Sequence, residues 1–352
     1  MTNQQYAAAL TATGIAAALA ALFRGRERYS FEGKSVFITG GSRGLGLEIA
    51  RLLGEEGAAV TIGARDEDEL SRAAAEFRHK RADVHTIRCD VTDRGDAERA
   101  VGEIVARQGR LDVLVNNAGV IQVGPAGHMR LEDYEAAMNV HFRGPLHTML
   151  AAIPHMRGQG GGRIVNVSSI GGRIPVPHLA PYVASKFALT GLSSSLRTEL
   201  AREGILVTTV CPGLMRTGSP INATIKGQHE REFAWFSVGD SLPGLSMDST
   251  RAARQIVEAC RRGRAEVILT LPARLAAALY GLMPSTFVEA ASFANLLLPE
   301  ATGPEGDRPR LGRDSTSAAS PSVLTRMSDR AAERNNEVVR PFTPSVPAPS
   351  TS

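Results

Sequence analysis

Cysteine is scarce in this 352-residue chain: Cys89, Cys211 and Cys260 are the three, with no C-x-x-C pair among them. Such spacing gives no disulfide framework and reads as buried, reduced thiols in a reducing compartment. The eight histidines form no H-x-x-x-H or mixed Cys/His cluster, so no metal site is expected, and His178 is read as a plain loop residue rather than a pocket residue. Net charge is only +4, and no basic stripe interleaved with aromatics is present, so nucleic acid is not an expected partner. There is no internal repeat. Beyond Leu298 apolar residues thin out among Ser, Thr, Arg and Asp, punctuated by Pro304, Pro309, Pro321, Pro341, Pro344, Pro347 and Pro349. A stretch of that kind cannot bury enough apolar surface to offset ordering entropy, so residues 300–352 are expected to form a disordered tail.

What is present is a globular composition, 43% apolar and 22% charged, in a chain long enough for one large α/β domain with extensions. From Ser35 onward short apolar runs alternate with longer amphipathic ones, the pattern of repeated βαβ units around a parallel sheet. Strands are predicted at Ser35–Thr39, Ala59–Ala64, His85–Cys89, Leu111–Val115, Ile164–Ser168, Leu206–Cys211 and Glu266–Thr270, about seven in all. One long helix is predicted over Leu131–Met156, kinked at Pro145. The predicted organisation is an N-terminal apolar helix over 1–30, a doubly wound α/β domain over 31–271, an apolar helical extension over 272–299 and the tail.

Two stretches carry chemistry. Between the first strand and first helix stands Thr39-Gly40-x-x-x-Gly44-x-Gly46, whose glycines let the backbone turn tightly and approach a pyrophosphate at a helix N-terminus. At the end of the second strand, where an acid would bind the hydroxyls of an unphosphorylated ribose, stand Ala64 and Arg65. With Arg43 inside the turn, two guanidiniums suit a 2′-phosphate, so NADP(H) is expected in preference to NAD(H); Asp66, next in line, is the contrary sign. Further along, Tyr182 and Lys186 are four apart on one predicted helix and share a face. An ammonium beside a phenol favours the phenolate and lowers its pKa from ~10. Tyr182 could then give a proton to a carbonyl oxygen, or take one from an alcohol, while Ser169 donates a hydrogen bond to the same oxygen.

With the glycine turn upstream, Asn116-Asn117-Ala118-Gly119 in the middle and Ser169 thirteen positions before Tyr182, the chain resembles the short-chain dehydrogenase/reductase family over residues 33–270. The resemblance implies a Rossmann-type parallel sheet and hydride transfer between a nicotinamide and a substrate carbonyl carbon. By position it implies catalytic roles for Ser169, Tyr182 and Lys186, and for Asn139 as the residue whose backbone holds a water on the proton relay to Lys186. It implies cofactor contacts from Gly40, Ser42, Arg43, Gly44, Leu45, Gly46 and Arg65. Asp90 and Val91 would hold the adenine, Asn116, Ala118 and Gly119 would shape the floor, Pro212, Gly213, Met215 and Thr217 would seat the carboxamide, and Tyr182 and Lys186 would reach the ribose. Ser168 is the rival for the serine role; the family's spacing selects Ser169. A homodimer or homotetramer through Leu131–Met156 and Tyr182–Glu203 is a further expectation. Members that bind the dinucleotide without turnover, as sensors or scaffolds, remain the alternative class.

The stretches Ile121–His128, Gly171–Pro181 and Ser219–Ser246 are expected to cover the site. The last carries Phe233, Trp235, Phe236, Leu242 and Leu245, read either as an apolar lid, implying a lipid-, steroid- or retinoid-like carbonyl or alcohol, or as packing against the sheet. At the N-terminus, residues 6–23 hold no charge and would span about 27 Å as a helix, slightly short of a ~30 Å hydrocarbon core. They read as an uncleaved inner-membrane anchor or as a helix packed on the domain. Arg24, Arg26 and Arg28 follow the run, which by the positive-inside rule would keep the catalytic domain on the cytoplasmic side.

Overall fold

The computed structural model describes residues 29–79, 84–242, 244–317, 320 and 325–338. The apolar run over residues 6–23 therefore lies outside the described residues, and among those described no helix is long and apolar enough to cross a membrane.

Seven parallel strands form the central sheet: β1 (Ser35–Thr39), β2 (Ala59–Ala64), β3 (Val84–Arg88), β4 (Val113–Asn116), β5 (Gly162–Val167), β6 (Ile205–Cys211) and β7 (Glu266–Ile268). Their order is β7-β6-β5-β4-β1-β2-β3, every neighbouring pair parallel. Helices cover both faces, which is why the inner strands read as continuous apolar runs: all five residues of β1 and all seven of β6 are buried. Strand order reverses between β1 and β4, and a crevice at the carboxyl ends of strands opens at such a switch point. The glycine turn after β1, Asn116 closing β4, Ser169 just beyond β5 and Pro212 just beyond β6 all lie along that edge.

Helices follow their local signals. In α3 (Arg94–Gln108), after α1 (Gly44–Glu55) and α2 (Glu67–His79), the Asp93 side chain caps the N-terminus by accepting from the Asp96 amide, and left-handed Gly109 ends it. The long helix predicted over 131–156 is two helices, α4 (Leu131–Met138) and α5 (Gly144–Gly158), joined by a π turn over Asn139–Arg143. Pro145 has no N–H to continue the ladder, and the turn before it widens so that the Gly144 amide reaches back to the Asn139 carbonyl. Then come α6 (Ala180–Leu200), α7 (His229–Ser241) and α8 (Ser249–Arg261). The apolar extension forms α9 (Leu271–Leu282) and α10 (Pro284–Asn295), broken where Pro284 starts the second helix.

The expected disordered tail needs correction for the residues described. Arg310–Leu311 pairs antiparallel with Thr224–Ile225, which itself lies parallel to Gln122–Val123. A final helix, α11 (Arg326–Arg334), buries Ala331 and Ala332. Composition gives this stretch few apolar residues with which to build a core of its own. It is held instead by small side chains and polar ties to the finished domain, including His128 to Asp307 at 2.8 Å, Ser241 to Ser328 at 2.7 Å and Ser237 to Ser320 at 2.7 Å. All three cysteines are buried and unpaired with one another.

Candidate active site

The glycine turn is built so that only glycine fits. Gly40 and Gly44 have φ of +63° and +58°, where a side chain is strained. A Cβ on Gly46 would collide with the Gly40 carbonyl oxygen and come within 2.6 Å of Asn117 Nδ2. That amide locks the turn by donating to the Gly40 carbonyl at 3.0 Å, while Thr39 Oγ1 accepts from the Asn117 and Ala118 amides at 3.1 and 3.3 Å. The turn is thus stitched to the end of β4, and α1 begins with no side-chain cap from Arg43. Its N-terminal amides and the positive end of its dipole face a cavity of about 500 Å³.

Most of the residues selected from the sequence line that cavity. Ser42, Arg43, Leu45, Arg65, Asp90, Val91, Ala118, Gly119, Ser169, Tyr182, Lys186, Pro212, Gly213, Met215 and Thr217 are all in its lining. Three do not line it. Gly46 lies behind the turn, Asn139 sits in the π turn, and Asn116 is buried beneath the floor, donating to Asn166 Oδ1 at 2.9 Å and accepting from Thr148 at 2.6 Å. Asp90 accepts from the Thr92 amide and hydroxyl, so its carboxylate is fixed at the mouth of β3.

Ser168 and Ser169 part ways. Ser168 is buried, its hydroxyl bonded to the Lys186 carbonyl and to Thr190. Ser169, less buried and also in the lining, accepts from the Gly171 amide at 3.1 Å and lies beside the Tyr182 phenol, whose pKa it lowers. The Tyr182–Lys186 spacing places the ammonium nitrogen 5.6 Å from the ring centroid, where it donates to the Val167 carbonyl at 2.9 Å. The expected depression of the phenol is not what this site shows. Burial pushes Tyr182 up to about 12, reinforced by the Asp240 carboxyl and only partly offset by Ser169, and burial pushes Lys186 down to about 7. The Lys186 ammonium is not among the groups that offset the burial of this phenol.

Several residues escaped the sequence reading. Glu69, on α2, pairs with Arg43 at 3.0 Å and accepts from Ser42 Oγ at 2.8 Å, so Arg43 is already engaged. His141 stands edge-on to Tyr182 with centroids 5.3 Å apart. Its Nε2 accepts from the Val120 amide, so Nδ1 carries the proton toward Ser185, 2.8 Å away. Burial and the Lys186 ammonium hold this imidazole well below its ordinary range. His178 is more than a loop residue, for it is buried in contact with the Glu232 carboxylate on α7 at 2.9 Å. From the C-terminal stretch come Leu311, Arg313 and Glu337, all lining the cavity. A lone Asn, His or Glu carries no periodic signal, so only contact reveals these.

The model of the family described as short chain dehydrogenase matches residues 34–226, more than half of the chain. The chain belongs to the short-chain dehydrogenase family. SadH of Mycobacterium tuberculosis, named an oxidoreductase, is 34% identical over 261 residues, 73% of this chain and 94% of SadH. A 3-oxoacyl-(acyl-carrier-protein) reductase, FabG of Staphylococcus aureus, is 36% identical over 52% of this chain and 74% of its own. Among solved structures, a gluconate 5-dehydrogenase from Burkholderia cenocepacia, in complex with NADP and tartrate, superposes with a TM-score of 0.62 at 27% identity, covering 70% of this chain and 98% of that one. As a short-chain dehydrogenase, the protein is an oxidoreductase acting between carbonyl and alcohol.

Proposed function

We propose that this short-chain dehydrogenase uses NADP(H) to interconvert a carbonyl and an alcohol on an apolar substrate. The observation that carries the reading is that Ser169, Tyr182 and Lys186 line the same cavity as the glycine turn. The residues fit a dinucleotide: the turn is a cradle that a Cβ at Gly40 or Gly46 would fill, and the cavity's lining presents Arg43 and Arg65 to a 2′-phosphate. The gluconate 5-dehydrogenase of the same fold holds NADP. When bound, the nicotinamide supplies or accepts the hydride.

The chain's own residues do the rest. Tyr182, protonated at neutral pH, donates its proton to the carbonyl oxygen in the reducing direction, and Ser169 donates a hydrogen bond to the same oxygen. Lys186, poised near 7, can return a proton toward the phenol, with the Asn139 carbonyl as the anchor of a water on that route. That carbonyl accepts from the Gly144 amide and keeps a second lone pair for the water. Support for an apolar substrate comes from Ile121, Val176 and Trp235, partly buried around Tyr182 over Phe233 and Phe236.

Exposed Leu131, Leu150 and Phe187 on α4, α5 and α6 support a homodimer through these helices. The exposed Leu271, Leu275, Leu279 and Leu282 along α9, together with Phe293 and Leu297 beyond them, support contact with the cytoplasmic surface of the inner membrane, as does the uncharged run over 6–23. Consumption of NADPH against NADH with a panel of apolar ketones and aldehydes tests the reading. Failure of every substrate, or a Tyr182→Phe variant as fast as wild type, would overturn it.

A further inference from the structure

The C-terminal stretch does more than cover the domain. After α11 the chain lays Asn335, Asn336 and Glu337 across the glycine turn. The Asn335 carbonyl accepts from the Gly44 amide at 2.9 Å, the first N–H of α1. Asn336, left-handed at φ +58°, donates to the Ser42 and Glu69 carbonyls at 2.9 and 3.1 Å and accepts from Arg72. Glu337 places one carboxylate oxygen 2.6 Å from the Gly218 amide, and a Cβ on Gly44 would lie 3.1 Å from the other.

The chemistry of this arrangement is that of an anion site already filled. Helix α1 opens without a side-chain cap, so its first amides and dipole favour a negative group, in this fold a phosphate. Here the amide of Gly44 serves the strap's carbonyl, and a carboxylate lies between Gly44 and Gly218, facing into the same cavity as Tyr182. A purely structural tie has no need of a charge. Burying this one raises the carboxyl to about 7, because a single amide and the more distant Arg43 guanidinium do not offset its desolvation and Glu69 opposes it.

We propose that residues 335–337 are a built-in competitor for the dinucleotide's phosphates, with the Glu337 carboxylate holding the phosphate position until the cofactor displaces it. The inference rests on the reading of the cavity as a dinucleotide site. A strap closed for all but 1–10% of the time would weaken apparent affinity on the order of 10- to 100-fold, since only the open fraction binds. The groups facing the carboxyl are Arg43 of the turn, Glu69 of α2 and the Gly218 amide, and of these it is Glu337 whose charge is lost as pH falls below about 7.

The test uses the full chain carrying Glu337→Gln or Glu337→Ala, with NADPH and 2′-AMP as probes in direct binding titrations. The expected result is NADPH binding tightened 10- to 100-fold in both variants, with 2′-AMP, which has no pyrophosphate, unchanged. The gap between wild type and E337Q should narrow as pH drops below about 7. Hydrogen exchange of the wild-type protein gives a second reading: added NADPH should slow the glycine turn and speed residues 325–338. Equal or weaker NADPH binding by both variants, or protection of both segments together, would overturn the competitor and make the strap a buttress or clamp. If neither wild type nor variants bind NADPH or 2′-AMP, the cavity is not a dinucleotide site, and the proposal falls with that reading.

Discussion

Replacing Lys186 by methionine should stabilise the protein near neutral pH and destabilise it in alkali. The lysine is 5% exposed and, in the folded chain, loses its proton at about 7 rather than at its ordinary 10.5. At about 1.4 kcal/mol per pH unit, burial of Lys186 costs roughly 4 kcal/mol at pH 7 and about 1 kcal/mol at pH 10, where the folded site is neutral and the unfolded lysine has begun to lose its proton. The sign follows from proton binding. Between about 7 and 10.5 the unfolded chain holds a proton that the folded chain has released, so wild-type stability rises with pH across that window and is flat below it. Methionine removes the penalty and also the hydrogen bond to the Val167 carbonyl, whose loss costs about 1–3 kcal/mol at every pH. The variant should therefore be about 1–3 kcal/mol more stable than wild type at pH 7 and less stable or equal at pH 10. Urea unfolding of both proteins at a series of pH values reads the crossover. Parallel curves, with the variant weaker throughout, would show that Lys186 is charged in the folded site and that burial does not dominate there.

Tyr182→Phe should leave NADPH binding intact and lower kcat on the order of 10²–10⁴-fold, the contribution of a missing general acid, measured under saturating cofactor. Arg65→Ala should weaken NADPH binding several-fold and leave NADH nearly untouched, whereas Arg43→Ala should do less because Glu69 already holds that guanidinium; an enzyme preferring NADH from the start would contradict both. Gly46→Ala should abolish cofactor binding and lower the melting temperature, since its methyl would collide with the Gly40 carbonyl; a wild-type Kd would show that the turn can open. Leu150→Glu with Phe187→Glu should yield monomers in light scattering if α5 and α6 carry the dimer contact, and an unchanged mass would place the interface elsewhere.

The parallel sheet was legible in the sequence because each strand is a short apolar run bounded by polar turns and each helix repeats its apolar residues at one spacing, so both are local patterns. The glycine turn and the Ser169, Tyr182 and Lys186 trio were legible for a related reason: their chemistry demands particular residue types at fixed intervals along single turns and helices. Tertiary structure alone decided the rest. The break in the predicted long helix at Asn139–Arg143 precedes Pro145 and sits where Gly144 packs so closely on Val91 that a Cβ would press on it at 2.8 Å. The ionisation of Tyr182 and Lys186 departs from what their pairing suggests, because desolvation, which no sequence spacing records, is the largest influence on each. The C-terminal stretch has few apolar residues, and that is all its composition records. Its described residues are held because the finished domain offers amides, carbonyls and small-residue hollows, and those exist only once strands distant in sequence have come together.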